Sequence, residues 1–190
     1  MVSFELNSAY CQRDEHKPYG MNSGIIEYKF SGMQEGMGTL HFDDYGLKAS
    51  MYMDVIEGDK HKRGYTLTLK EDQYMYDLGP SGEGFKMKNP FFSNLKEGGD
   101  AETFLMKFYG NMGFEKAGKI IFLDRECDLW KGNEGEAFIW KGILLKFDLN
   151  MYGNAIHQEA TSILINVQID PSLLKIPEDI EFMEMPGFVF

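Results

Sequence analysis

The sequence predicts a mainly β protein: a strongly curved antiparallel sheet, one amphipathic helix laid against it, and a short helical turn near the C-terminus. Three observations lead there. Apolar and polar residues alternate with period two through much of the 190-residue chain, as in strands with one wet face. Aromatic residues make up 14% and glycine accounts for 21 residues, a mix of ring side chains and turn formers that favours strands over helices. A single stretch, 98–113, carries apolar residues at helical spacing instead.

In chain order, residues 1–23 show little periodicity and include the charged, turn-rich run DEHKPYG, so they read as an N-terminal arm. One domain is expected over 24–190. In IIEYKF, Ile26, Tyr28 and Phe30 share one face while Glu27 and Lys29 take the other. In GLKASMYMDV the apolar row is Leu47, Ala49, Met51, Met53 and Val55. In GYTLTLKE, Tyr65, Leu67 and Leu69 alternate with a wet row of Thr66, Thr68 and Lys70. FDDYG at 42–46 predicts a tight turn, EGDKHKRG at 57–64 a longer charged hairpin loop, and Glu71-Asp72 the next turn. No segment offers the helical crossover that parallel strands require.

In GGDAETFLMKFYGNMG, residues Phe104, Leu105, Phe108, Tyr109 and Met112 form one helical face. Asp100 is placed to cap this helix, and Glu102 lies in its first turn, where the dipole favours it. Strands resume with GKIIFLD at 118–124. In KGILLKFDLNMY, Ile143, Leu145, Phe147, Leu149 and Met151 are expected on one face. In TSILINVQID the buried row is Ile163, Ile165, Val167 and Ile169. PSLLKIPEDIEF then reads as a helical turn followed by an edge segment. About ten antiparallel strands form a sheet that must coil, into a barrel or around something that fills it.

The stretch LWKGNEGEAFIWKG, residues 129–142, writes Trp-Lys-Gly twice. A hairpin turning on Gly135 would set Trp130 opposite Trp140 on one face, a stacked pair worth about 0.5–1.5 kcal/mol beyond its buried area. Glu159 falls on the same face as the row Ile163, Ile165 and Val167. Either a bulge between Gln158 and Ala160 turns it outward, or it forms the polar rim of an apolar cleft.

With 43% apolar and 26% charged residues, the composition is that of an ordinary globular protein. Nineteen Lys and Arg against 30 Asp and Glu leave a formal charge of −11, which repels phosphate backbones, so nucleic acid is not an expected partner. No window has the eighteen or more apolar residues of a membrane span, and no signal-peptide pattern is present. Cys11 and Cys127 fit either one disulfide or two free thiols. Cys127 reads as a small buried side chain. His16, His41, His61 and His157 are scattered with no second ligand at metal spacing, and Asp43-Asp44 does not continue into a calcium loop. His41, alternating with Thr39 and Asp43, reads as a solvated strand position. Thirteen methionines, Met51, Met53, Met106, Met112 and Met151 among them, read as core filler. Without a phosphate loop, dinucleotide fingerprint or nucleophile elbow, the residues predict no enzyme, cofactor or metal.

The runs SGIIEYKFSG, GTLHFDDYGLKAS, DRECDLWKG, IWKGILLKFDLNMYG and QEATSILINVQIDPSLLKIPEDIEF, in this order over most of 23–182, resemble small periplasmic or lipoprotein-type proteins of Bacteroidetes-like bacteria. Those share the fold of the lipoprotein carriers LolA and LolB. The resemblance implies an unclosed half-barrel whose concave side is plugged by the helix, and a place in the periplasm or cell envelope. In the carriers the concave face holds acyl chains and a cavity arginine takes part in transfer; Arg13, Arg63 and Arg125 here all read as loop or turn positions. The expected function is non-enzymatic binding of a lipid or lipoprotein acyl chain by Phe104, Leu105, Phe108, Met112, Trp130, Trp140 and Glu159. The alternative is an interaction module with a filled core and no small ligand.

Overall fold

The computed structural model describes residues 17–79, 83–151 and 153–186. Six strands run as a meander: β1 (Gly24–Gly32), β2 (Glu35–Asp43), β3 (Lys48–Glu57), β4 (Lys60–Leu69), β5 (Asp72–Asp77) and β6 (Glu83–Lys88). Two helices follow, α1 (Pro90–Lys96) and α2 (Ala101–Asn111). A second meander comprises β7 (Glu115–Phe122), β8 (Arg125–Gly132), β9 (Gly135–Trp140), β10 (Ile143–Met151) and β11 (Asn154–Ile165). A 3-10 turn at Pro171–Leu174 leads to β12 (Glu181–Glu184). Among the described residues, the twelve strands form one sheet in the order β12-β6-β5-β4-β3-β2-β1-β11-β10-β9-β8-β7, with no pairing between β12 and β7. The predicted fold class is therefore the one observed, an open curved β sheet with helix against it.

The topology explains the helices. The two meanders grow outward from the central β1·β11 pair, so β6 and β7 belong to opposite halves of the sheet. The chain between them has to cross a face, and it does so as α1 and α2. The first of these has clear start signals: the Asn89 side chain accepts from the Phe91 N–H at 3.1 Å, and Pro90 opens the first turn. At the other end of the chain, the 3-10 turn Pro171–Leu174 lies against β3 and β4, and the chain then delivers β12 parallel to β6. A parallel pair thus arises without a helical crossover, because a long irregular connection over the face supplies the reversal.

Two core clusters divide the interior. One joins Ile26, Tyr28, Phe30, Leu40, Phe42, Ala49 and Val55 of β1–β3 to Cys127, Phe138, Trp140, Ile143 and Leu145 of β8–β10. The other joins Trp130, Ala137 and Ile139 to Tyr109 and Phe114, with Leu105, Met112, Leu144, Phe147 and Leu149 packed against it. Successive residues of β9 alternate between the two, so this strand is buried on both faces. The β8–β10 layer lies between β1–β3 and α2, and the Tyr28 hydroxyl, donating to the Leu144 carbonyl at 2.7 Å, ties the two sheet layers together.

Bulges make this layering possible and correct several expectations. The β8–β9 turn is Asn133–Glu134, which sets Trp130 opposite Ala137 and puts Trp130 and Trp140 on opposite faces. They do not stack. Gly135 serves close packing rather than the turn: a Cβ there would run into the Asp148 carbonyl oxygen. A register shift at Leu145 splits the expected row of β10, so Ile143 and Leu145 enter the first cluster and Phe147 and Leu149 the second. A further shift skips Thr161 in β11. It leaves Glu159 exposed, on a rung with Lys29 and Lys146.

Smaller departures follow from local chemistry. Lys60–Gly64 continue β4 after a two-residue turn at Gly58-Asp59, and the next turn is Lys70-Glu71. Val167 lies beyond the end of β11, while Ile169 is buried off the strand. Met106 is exposed rather than core filler, and the side chain of Met151 lies outside the described residues. Cys127 is a fully buried free thiol, its pKa pushed up by burial; Cys11 lies outside the described residues, as does the arm over 1–16. Residues 17–23 are tied into the fold: the Tyr19 ring meets Phe42 edge-on at 5.1 Å, and the Gly20 N–H donates to the Lys141 carbonyl.

Candidate ligand cleft

Helix α2 is well capped and poorly buried. The Asp100 carboxylate accepts from the Thr103 N–H at 2.6 Å, which depresses its own pKa, and Glu102 occupies the first turn. Gly113, at φ +78, ends the last turn, where the Met112 and Phe114 N–H groups both donate to the Tyr109 carbonyl. The Asn94 amide donates to the Asp100 carbonyl at 2.9 Å and holds α1 to the start of α2. Within α2 only Ala101 and Tyr109 are buried; Phe104 and Leu105 are half-buried and Phe108 is 36% exposed.

That incompletely buried apolar face borders a cleft of about 470 Å³. One wall is aromatic: Phe91 meets Phe104 edge-on at 5.6 Å, and Phe104 stacks on Phe108 at 5.8 Å. Across from it are Ala49, Thr68 and Gln73, consecutive partners across β3, β4 and β5 on one face. Tyr19, Asn89, Leu105, Tyr109 and Leu144 also line it. Burial pushes the Tyr19 hydroxyl up to about 12 and raises that of Tyr109 well above its ordinary value. Both therefore remain protonated across the neutral range.

The structure brings together three of the seven sequence-predicted site residues, Phe104, Leu105 and Phe108. Met112 packs into the second core cluster instead. Trp130 lies in that same cluster, its ring 5.4 Å from Tyr109, and so supports the helix from behind. Trp140 is on the opposite face, with the Arg125 guanidinium 4.8 Å from its ring centroid. Glu159 is exposed on the central strand β11, between Lys29 and Lys146, and is not among the residues that line the cleft.

Several lining residues carry no sequence signal for the site. Thr68 reads as a wet-face position because it alternates with Leu67 and Leu69, and its partner Gln73 on β5 follows no sequence motif. Leu67 and Tyr74 are nevertheless buried, with Phe182 edge-on to Tyr74 at 5.1 Å and the turn Pro171–Leu174 against β4. Alternation thus identifies two faces of β4 without identifying which one is concave. The Asn89-Pro90 pair, by contrast, is a legible helix start and could have revealed α1. Elsewhere, His41 keeps its Nδ1 buried without a partner across the β2–β3 rung from the fully buried Ser50, and burial lowers its pKa. It is not the solvated position its neighbours suggested.

No protein-family model matches the chain, and no curated protein matches its sequence. Among solved structures, an uncharacterised conserved protein from Thermus thermophilus is similar at a TM-score of 0.55 and 8% identity, over 87% of this chain and 91% of that one. This likeness concerns the fold alone. PNGF-II aligns at a TM-score of 0.46 and 11% identity, and MucB in complex with MucA(peri) at 0.39 and 9%. The chain spans 32% and 55% of their respective lengths. No helix among the described residues is long and apolar enough to cross a membrane.

Proposed function

We propose that the protein binds an apolar chain, the acyl chain of a lipid or lipoprotein, in the cleft between α2 and β3–β5, without catalysing a reaction. The observation that carries this reading is the capped helix α2, whose Phe104, Leu105 and Phe108 border a cleft while Tyr109 packs on Trp130 behind them. Its volume of about 470 Å³ lies within the range of small-molecule sites. Each CH₂ moved from water into it would contribute about 0.8 kcal/mol. A setting in the cell envelope is part of the proposal and rests on the sequence resemblance.

The test is native mass spectrometry of protein purified from bacteria, with lipid extraction of the same sample. The expected result is a bound lipid mass that disappears on Phe108→Asp while the melting temperature stays within a few degrees of wild type. A clean apo mass that persists after incubation with phospholipid and lipopeptide contradicts it. A second reading, an interaction module with a filled core, has its own observation: β9 is buried on both faces, and Ile121 on the edge strand β7 is 67% exposed. A protein partner lost on Ile121→Lys, with no bound lipid, would favour that reading.

A further inference from the structure

Among the described residues, the polar groups of the cleft are all uncharged. Tyr19, Tyr109, Thr68, Gln73 and Asn89 supply them, and no Asp, Glu, Lys, Arg or His is among the described residues that line it. Their hydrogen-bonding capacity is unevenly used. Asn89 is engaged at both ends, accepting from the Phe91 N–H and donating to the Lys70 carbonyl at 2.8 Å. Tyr28, close to Tyr19 and Tyr109, spends its hydroxyl on the Leu144 carbonyl. Tyr109 differs. It is only 4% exposed, it lines the cleft, and its hydroxyl has no hydrogen-bond partner among the described residues.

We infer that the occupant of the cleft is an acyl chain bearing an uncharged carbonyl, an ester or an amide, with the Tyr109 hydroxyl donating to that carbonyl. The inference rests on the apolar-chain reading above and adds the chemistry of the chain's polar end. A free carboxylate would give up its hydration in a site whose described lining offers no cation in return, and that loss has no compensation there. The formal charge of −11 over the whole chain adds long-range repulsion of anions. An ester or amide oxygen escapes both penalties and still accepts a hydrogen bond. It also gives the Tyr109 hydroxyl, at the cleft lining, an acceptor. Because burial holds the Tyr109 and Tyr19 hydroxyls protonated, the donor persists throughout the neutral range.

Competition for a common alkyl-chain fluorophore on the full chain at pH 8 tests this, with methyl decanoate, sodium decanoate and decane as competitors. The ester should compete about ten-fold better than the carboxylate, a difference of one decade in affinity. Tyr109→Phe, which keeps the ring that packs on Trp130, should weaken the ester about five-fold and leave decane unchanged, as expected for the loss of one neutral hydrogen bond. Decanoate competing as well as the ester overturns the inference while leaving the cleft reading in place. So does an ester-to-decane ratio that Tyr109→Phe does not alter. Should fluorophore and competitors all fail to bind, the cleft reading itself falls, and this one with it. The ester–carboxylate comparison needs no variant, so it decides the matter even if Tyr109→Phe folds poorly.

Discussion

Strands β1–β3 and strands β8–β10 have comparable lengths and comparably apolar sequences, yet they occupy different surroundings. In β1–β3 one row, Ile26, Tyr28, Phe30, Leu40, Phe42 and Ala49, enters a single core cluster, and charged residues such as Glu27 and Lys29 stay on the other face. In β8–β10 both faces are covered, one by β1–β3 and the other by α2 and Phe114. The difference teaches where period-two reasoning holds. It reads a strand with one wet face directly. In a strand between two layers it has no wet face to anchor the phase, so a single bulge reassigns every later side chain.

The comparison can be broken most readily at the covered layer. Trp130→Ala should cost about 3–5 kcal/mol, since it opens a cavity beneath Tyr109 and Ala137. Ile56→Ala on β3, with the side chain 54% exposed, should stay within about 0.5 kcal/mol. Chemical denaturation of both variants measures the contrast; equal losses would mean that the two regions are packed alike.

Glycines sharpen it next. Gly135→Ala places a Cβ against the backbone of β10 and should cost about 3 kcal/mol. Gly58→Ala, in the β3–β4 turn at φ +59 with open space around it, should cost about 1 kcal/mol from backbone strain alone. Tyr28→Phe removes the hydroxyl that bridges the layers and leaves the Leu144 carbonyl without its donor, a loss of about 1–3 kcal/mol. Hydrogen exchange should then rise in β10 before it rises in β2.

The smallest effect is a pH dependence located in the first meander. Burial lowers the His41 pKa below the ordinary 6.5, so as pH falls the unfolded chain takes up the proton first. Stability from this group is complete above pH 6.5 and is lost as pH falls through the lowered value. Melting curves at pH 7.5 and 5.5 should differ less for His41→Gln than for wild type.

These differences also mark what could be read from the residues. The rows of β1–β3, the cap at Asp100 and the helical face of Phe104, Leu105 and Phe108 are legible because each depends on neighbours in sequence. The placement of Trp130 and Trp140 is not, because the turn at Asn133-Glu134 and the close approach of β10 to Gly135 depend on long-range packing. Nor is the role of Thr68 and Gln73, whose face becomes the cleft wall only once α1 and α2 cross the sheet. Glu159 stands between these cases: a bulge was one legible reading of its strand, but its position at Thr161 follows from pairing with β1.

The most direct test of the central claim is to locate a bound chain by nuclear magnetic resonance, using a nitroxide-labelled alkyl ester and the amide signals of the full chain. The expected result is paramagnetic broadening at Ala49, Thr68, Gln73 and Leu105, which line the cleft, with Ile120, Phe122 and Cys127 on the far side of the β8–β10 layer unaffected. Broadening centred on those three residues, or none at saturating ester, would contradict it.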